Sequence, residues 1–273
     1  MIAGSPSRTA QRVAAYRRRF ERPPSPPGAD PAADDLLGDD VAAGVDVGLD
    51  TPMGRYLRAR TAFFDRVVLD AIGRGVTQLV DLGAGYDGRA WRYRAPGVTW
   101  FEVDHPDTQA DKRARLDRLG VATVDVVFVP IDFTSGEQLS NVLGAAGLDP
   151  TRESLVCWEG VVAYLSSEAV LATATELRQA VATGSRLAVS VSTPVPDDRR
   201  AEFEARVAAM GEPAAAPITA DDARPLLARA GWQVVAARSA DEGANDDRAA
   251  IARRAGLVIA VAGHPQRAGS LAG

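Results

Sequence analysis

The strongest constraint on the fold is a regular alternation that begins at residue 77. Apolar, β-like runs at 77–82, 98–103, 125–131, 155–158, 186–191, 232–236 and 257–262 are separated by helix-like stretches near 88–94, 106–119, 135–146, 167–182, 198–210 and 220–230. Strands separated by helices pair side by side as crossovers, so the pattern predicts a mostly parallel sheet with helices on both faces. Thr219-Ala220-Asp221-Asp222 reads as a capping box that opens the last helix. Ligands of such sheets sit at the carboxyl ends of the strands, so the residues that close each run are the candidates for function.

The first run closes in Asp81-Leu82-Gly83-Ala84-Gly85-Tyr86-Asp87-Gly88. Gly83, Gly85 and Gly88 spell the G-x-G-x-x-G spacing of a dinucleotide loop, in which the missing Cβ atoms let the backbone turn tightly against a ligand. A tight structural turn is the plain alternative. The second run closes in Glu102-Val103-Asp104, where an acid can accept hydrogen bonds from a ribose, or Asp104-His105-Pro106 can simply cap a helix. The third closes in Asp132-Phe133, a carboxylate and a ring suited to an adenine, and the fourth in Glu159-Gly160 with Tyr164 just beyond. Asp81, Asp104, Asp132 and Glu159 thus crowd one rim with negative charge. That favours a cationic ligand rich in donors, such as S-adenosyl-L-methionine (SAM), over a nicotinamide dinucleotide with its pyrophosphate.

Ahead of the alternation, residues 8–20 read as a helix with Val13, Tyr16 and Phe20 on one side, and the Pro- and Gly-rich stretch at 22–31 ends it. Residues 1–50 are therefore expected to be an N-terminal arm or cap, and 51–273 the main domain. Thr51-Pro52 opens a strong helix as N-cap and first helical residue, and Gly73 or Gly75 closes it. Arg60 falls on the apolar stripe of that helix and calls for an anionic partner, a ligand or a structural carboxylate.

Several motifs in order resemble the leucine carboxyl methyltransferase-like family: Ala59-Arg60-Thr61 with Phe63-Phe64-Asp65, Leu82 through Tyr93, Phe101 through Pro106, and Trp158-Glu159-Gly160 with Tyr164-Leu165. The flavour is that of its bacterial branch of SAM-dependent methyltransferases, which includes carboxyl methyltransferases of natural-product pathways. The resemblance implies a Rossmann-like class I methyltransferase, α/β, with a seven-stranded sheet whose last strand is antiparallel. It implies that Arg60 holds the methionine carboxylate of SAM, that Gly83 approaches the methionine part, and that Asp104 binds the ribose. Asp132 and Phe133 would hold the adenine, Glu159 would lie near the SAM amino group, and Asp81, Ala84 and Gly85 would complete the cofactor site. Tyr164 would face the acceptor, with Arg89 and Arg92 as candidates to orient it; for both arginines, pairing with Asp81 or Asp87 is the structural alternative. Residues 194–218 form an expected lid that departs from the eukaryotic pattern, and the Asp- and Gly-rich stretch at 28–48 departs from it too.

Histidine is nearly absent, with His105 and His264 only. A carboxylate acceptor is ionised at neutral pH and needs no general base, whereas a phenol or alcohol usually does. The expected activity is therefore O-methylation of a small-molecule carboxylate in secondary metabolism, releasing S-adenosyl-L-homocysteine. A phenol or alcohol acceptor, a non-catalytic SAM binder and an NAD-dependent oxidoreductase are the alternatives. A net charge of −5 marks no nucleic-acid surface, and the cluster Arg17-Arg18-Arg19 beside Arg12 and Arg22 is explained by a solvated helix face. No apolar run approaches the ~20 residues of a membrane span, and the first residues lack a signal core, so a cytoplasmic protein is expected. No metal site is expected, and the lone Cys157 reads as a buried small hydrophobe.

Overall fold

The computed structural model describes residues 6–132, 136–192, 218–239 and 256–262. The chain opens with helix α1 (Arg8–Arg18), capped by Ser7, whose hydroxyl accepts from the Ala10 amide at 3.1 Å. A second helix, α2 (Pro31–Ala42), follows in the stretch expected to be an arm or cap. Its signal is local: Asp30 accepts from the Ala33 amide and Pro31 takes the first helical position. Leu37 of α2 is fully buried, so the N-terminal segment packs into the core.

Helix α3 (Pro52–Gly73) starts as the sequence indicates, with the Thr51 side chain accepting from the Gly54 amide. It ends where Gly75 takes φ +83°, a left-handed conformation open to glycine, while Val76 donates back to the Ala71 carbonyl. Leu57, Phe63, Phe64, Val68 and Ala71 make its buried face, and Arg60, Thr61 and Asp65 are buried with them.

Beyond α3 the elements run β1 (Gln78–Leu82), α4 (Arg89–Arg92), β2 (Thr99–Asp104), α5 (Pro106–Arg118), β3 (Val126–Pro130), α6 (Leu139–Ala145) and β4 (Ser154–Trp158). After a 3-10 turn at Val162–Tyr164 come α7 (Ser167–Ala180), β5 (Arg186–Val191), α8 (Ala220–Arg229), β6 (Trp232–Ser239) and β7 (Gly256–Ala262). The stretch expected to be helical at 88–94 keeps a single turn, because Pro96 bars Ala95 from the helical region. The expected helix at 198–210, and all of the expected lid except Ile218, lie outside the described residues.

The sheet has seven strands in the order β3-β2-β1-β4-β5-β7-β6. Strands β1 to β5 are parallel, and β7 runs antiparallel to both β5 and β6. The order reverses between β1 and β4, which opens a crevice at their carboxyl ends. Successive side chains alternate between two cores. Val80, Leu82, Phe101, Val103, Val156 and Trp158 pack toward α6, α7 and α8. Leu79, Trp100, Leu155 and Cys157 pack toward α2, α3, α4 and α5. The same period of two puts Asp81, Glu102 and Glu159 on this second face, and Asp81 pairs in register with Glu102 and Cys157.

Candidate active site

The loop after β1 is held from both sides of the crevice. Gly83 and Gly85 have φ of +75° and +51°, which disfavours residues with a Cβ. A Cβ on Gly83 would run into Cγ2 of Val161, so the β1 and β4 loops close on each other at the switch point. The Gly83 and Ala84 amides donate to the Val103 carbonyl at 2.8 and 3.1 Å, and the Gly85 amide donates to the Asp104 carboxylate. Asp104 also accepts from the His105 amide at 2.6 Å. The loop and the proposed ribose acid are therefore one preformed unit. His105 caps α5 through its ring nitrogen and the Asp107 amide, so it is committed to the helix.

At the end of β4, Glu159 is 7% exposed and gathers three arginines. Arg60 donates through Nε at 2.8 Å to one oxygen, Arg89 through Nη1 at 2.6 Å to the other, and Arg17 of α1 approaches at 3.4 Å. Burial alone would raise the Glu159 pKa, but Arg89, Arg17 and Arg60 together hold it well below the usual carboxylate range. Glu159 is thus a permanent anion and an unsuitable proton acceptor. Gly160 follows with φ +75°, and a Cβ there would sit 2.9 Å from Nη1 and 3.2 Å from Nη2 of Arg60. The guanidinium of Arg60, 6% exposed and covered by the Tyr56 ring at 5.5 Å, is held by its Nε edge with its Nη edge beside glycine backbone.

The acidic rim expected from the sequence is therefore not a bare one. Uncompensated buried charge is too costly to keep, and each acid has a different remedy. Glu159 is surrounded by arginines. Asp81, 4% exposed, has its pKa raised well above the ordinary value by burial and by the charges of Asp87 and Glu102, which favours its neutral form. Asp104 is spent partly on backbone amides. Asp132 is half-buried two residues after the end of β3, while Phe133 lies outside the described residues.

Arg89, a candidate to orient the acceptor, is 2% exposed, and its donors go to Asp65, Asp87, Glu159 and the Thr61 carbonyl. Arg92 pairs with Asp34 and Asp35 of α2, and neither with Asp81 nor with Asp87. Tyr164 is half-buried in the 3-10 turn beside the crevice.

Several members of this centre escaped the sequence reading. Arg17 is 8% exposed and reaches both Asp87, at 3.3 Å, and Glu159, so it is no solvated surface residue. The Arg22 side chain, 4% exposed, binds Asp65 through two nitrogens. Burial would raise the Asp65 and Asp87 pKa values, but Arg89 with Arg22 on the first, and Arg17 with Arg89 on the second, keep both low. Asp65 on the buried stripe of α3 was the available signal, since a carboxylate there demands a cation. Nothing local marks Arg17. Among the described residues, no group of three or more His, Cys, Asp or Glu side chains could hold a metal ion, and no helix is long and apolar enough to cross a membrane.

The chain matches the leucine carboxyl methyltransferase family over residues 13–178. A Mycolicibacterium smegmatis protein named "Putative S-adenosyl-L-methionine-dependent methyltransferase" is 34% identical over 202 residues, which cover 68% of this chain and 63% of that protein. One of the same name from a Mycobacterium species is 36% identical over 222 residues, 73% of this chain and 71% of its own. The chain thus spans between 63% and 71% of the length of these two relatives. Among solved structures, a "putative methyltransferase" from Thermobifida fusca shares the fold with a TM-score of 0.64 at 16% identity, covering 96% of this chain and 97% of that one.

Proposed function

The chain belongs to the leucine carboxyl methyltransferase family, and from that premise we propose that it transfers the methyl group of SAM to a carboxylate oxygen of a small molecule. The observation that carries the cofactor reading is the Arg60–Glu159 pair at the β1–β4 crevice. Glu159 holds one edge of the guanidinium, and the other edge runs along Gly160, an arrangement that suits a ligand carboxylate. Glu159 itself, an anion at every working pH, suits the ammonium of the same amino-acid moiety. Asp104, already turned toward the glycine loop, suits the ribose hydroxyls, and Asp132 with Phe133 the adenine. Gly83, Ala84 and Gly85 supply backbone that can pass close to the ligand.

Methyl transfer is an in-line displacement at a carbon that the sulfonium already activates. The protein's task is alignment, and well-oriented intramolecular reactions set the scale of that contribution at ~7–11 kcal/mol. A carboxylate acceptor fits the residues present, because it arrives ionised and asks for no base. The nearby His105 is engaged in capping, and Glu159 is bound by arginines. Tyr164 is the side chain assigned to orient the acceptor, and Arg89 leaves that role for the ion-pair core.

The test is a panel of small carboxylic acids and phenols incubated with the protein and methyl-labelled SAM. The expected product is a base-labile methyl ester with stoichiometric S-adenosyl-L-homocysteine. Labelling of phenols alone would replace the carboxylate reading with a phenol methyltransferase. Tight SAM binding with no turnover on any acceptor would favour a binding protein.

A further inference from the structure

Helix α5 carries an unusual buried stripe. Its buried positions Thr108, Gln109 and Lys112 are polar and at most 4% exposed, and only Leu116, one turn later, is apolar. A fully buried lysine is rare and costly unless its ammonium is satisfied. Here Lys112, 1% exposed, donates to Glu102 of β2 at 2.6 Å and to the backbone carbonyl of Asp87 at 2.7 Å, with its ammonium 5.3 Å from the centre of the Trp91 ring. Gln109 donates to the Glu102 carbonyl at 2.8 Å, which locks α5 to the same strand.

The Asp87 carbonyl is the point where the glycine loop turns into α4. Its amide donates to the Ala84 carbonyl at 2.8 Å, so the span from Ala84 to Asp87 is a closed turn. Asp104 holds one end of that turn through the Gly85 amide, and Lys112 holds the other. The carboxylate of Asp87 is occupied separately by Arg17 and Arg89.

We propose that Lys112 is a positioning residue for the cofactor: its ammonium, anchored on Glu102, fixes the Asp87 carbonyl and so holds the Gly83–Gly88 loop in the shape that receives SAM. The inference rests on the cofactor reading above. Lys112 touches no ligand itself and acts through the loop backbone. A charged hydrogen bond to a carbonyl in a dry site is strong enough that its loss opens the turn about tenfold more often.

Two variants separate positioning from ordinary stabilisation. Lys112→Met keeps the aliphatic stem and removes the ammonium. Leu116→Ala removes packing from the same helix one turn away and leaves the Asp87 carbonyl held. Amide exchange is followed in the ligand-free proteins, and S-adenosyl-L-homocysteine is titrated calorimetrically. Lys112→Met is expected to speed exchange at Gly85, Tyr86 and Asp87 and to weaken the ligand about tenfold, while Leu116→Ala lowers the melting temperature and leaves both readings within about twofold. Unchanged loop exchange in Lys112→Met, or equal weakening in the two variants, would overturn the proposal. Should Lys112→Met not fold, Lys112→Gln, neutral and one atom shorter in reach, serves in the same comparison. A wild-type protein that takes no S-adenosyl-L-homocysteine would refute the cofactor reading, while the exchange data still decide whether Lys112 shapes the loop.

Discussion

Replacing Arg60 by Ala tests the centre of the proposed cofactor site. Deletion of one partner from a buried ion pair is usually severe, because the other charge is left unpaired. Here Glu159 keeps Arg89 at 2.6 Å and Arg17 at 3.4 Å, so the carboxylate stays compensated. The stability cost should be that of one charged hydrogen bond with its packing, about 1–3 kcal/mol, and the fold should survive. The loss of ligand binding should be of similar size. One or two charged hydrogen bonds to the amino-acid carboxylate are worth roughly 1.5–3 kcal/mol, or about ten- to a hundredfold in Kd. The assay is calorimetric titration with S-adenosyl-L-homocysteine, paired with adenosine, which lacks the amino-acid half. Arg60→Ala should weaken the first and spare the second. Equal affinity of variant and wild type for S-adenosyl-L-homocysteine would return Arg60 to a purely structural role. Equal loss for both ligands would mean that the variant damages the site as a whole.

The buried acids make a prediction about pH. Asp65, Asp87 and Glu159 have folded pKa values held below their unfolded values of about 4. Below that pH the unfolded chain binds more protons, so stability present at neutral pH is lost as pH falls from about 4 downward; a urea midpoint that stays flat between pH 5 and pH 3 would contradict the network. Glu102 acts in the opposite sense, since burial, only partly offset by Lys112, raises its pKa to about 7. It costs stability as pH rises from about 4 to 7, and Glu102→Gln should flatten that part of the urea profile. Gly83→Ala should cost about 1–2 kcal/mol for its φ of +75° plus the clash with Val161; adding Val161→Ala should recover the clash alone, and full additivity of the two changes in melting experiments would refute the contact. Tyr164→Phe should lower kcat or raise the acceptor KM while S-adenosyl-L-homocysteine binds as before; weakened cofactor binding would place Tyr164 elsewhere.

Much of the architecture was legible in the chain because it is written in local signals. The alternation from residue 77, the Thr51-Pro52 start of α3 and the glycines after β1 each depend on a few neighbouring residues. Helix α2 was equally local, in Asp30-Pro31, and was hidden by the Pro and Gly content around it. The ends of β1, β2 and β4 could be read as sites because a parallel sheet brings its carboxyl ends together whatever the sequence between them.

The partners of those residues belong to the tertiary structure. Arg60 and Glu159 are 99 residues apart and Arg17 and Glu159 are 142 apart, and no periodicity links them. An arginine on a helix surface and an arginine in a core have the same sequence neighbourhood, as Arg17 and Arg18 show by lying side by side with different fates. The sequence by itself determined which elements form, in what order, and which acids stand at the strand ends. Only the packing of α1, α3 and α4 over the sheet decided which of those acids are paired with cations and which is pushed toward its neutral form, because the cost of a buried charge depends on every cation brought within a few ångströms of it.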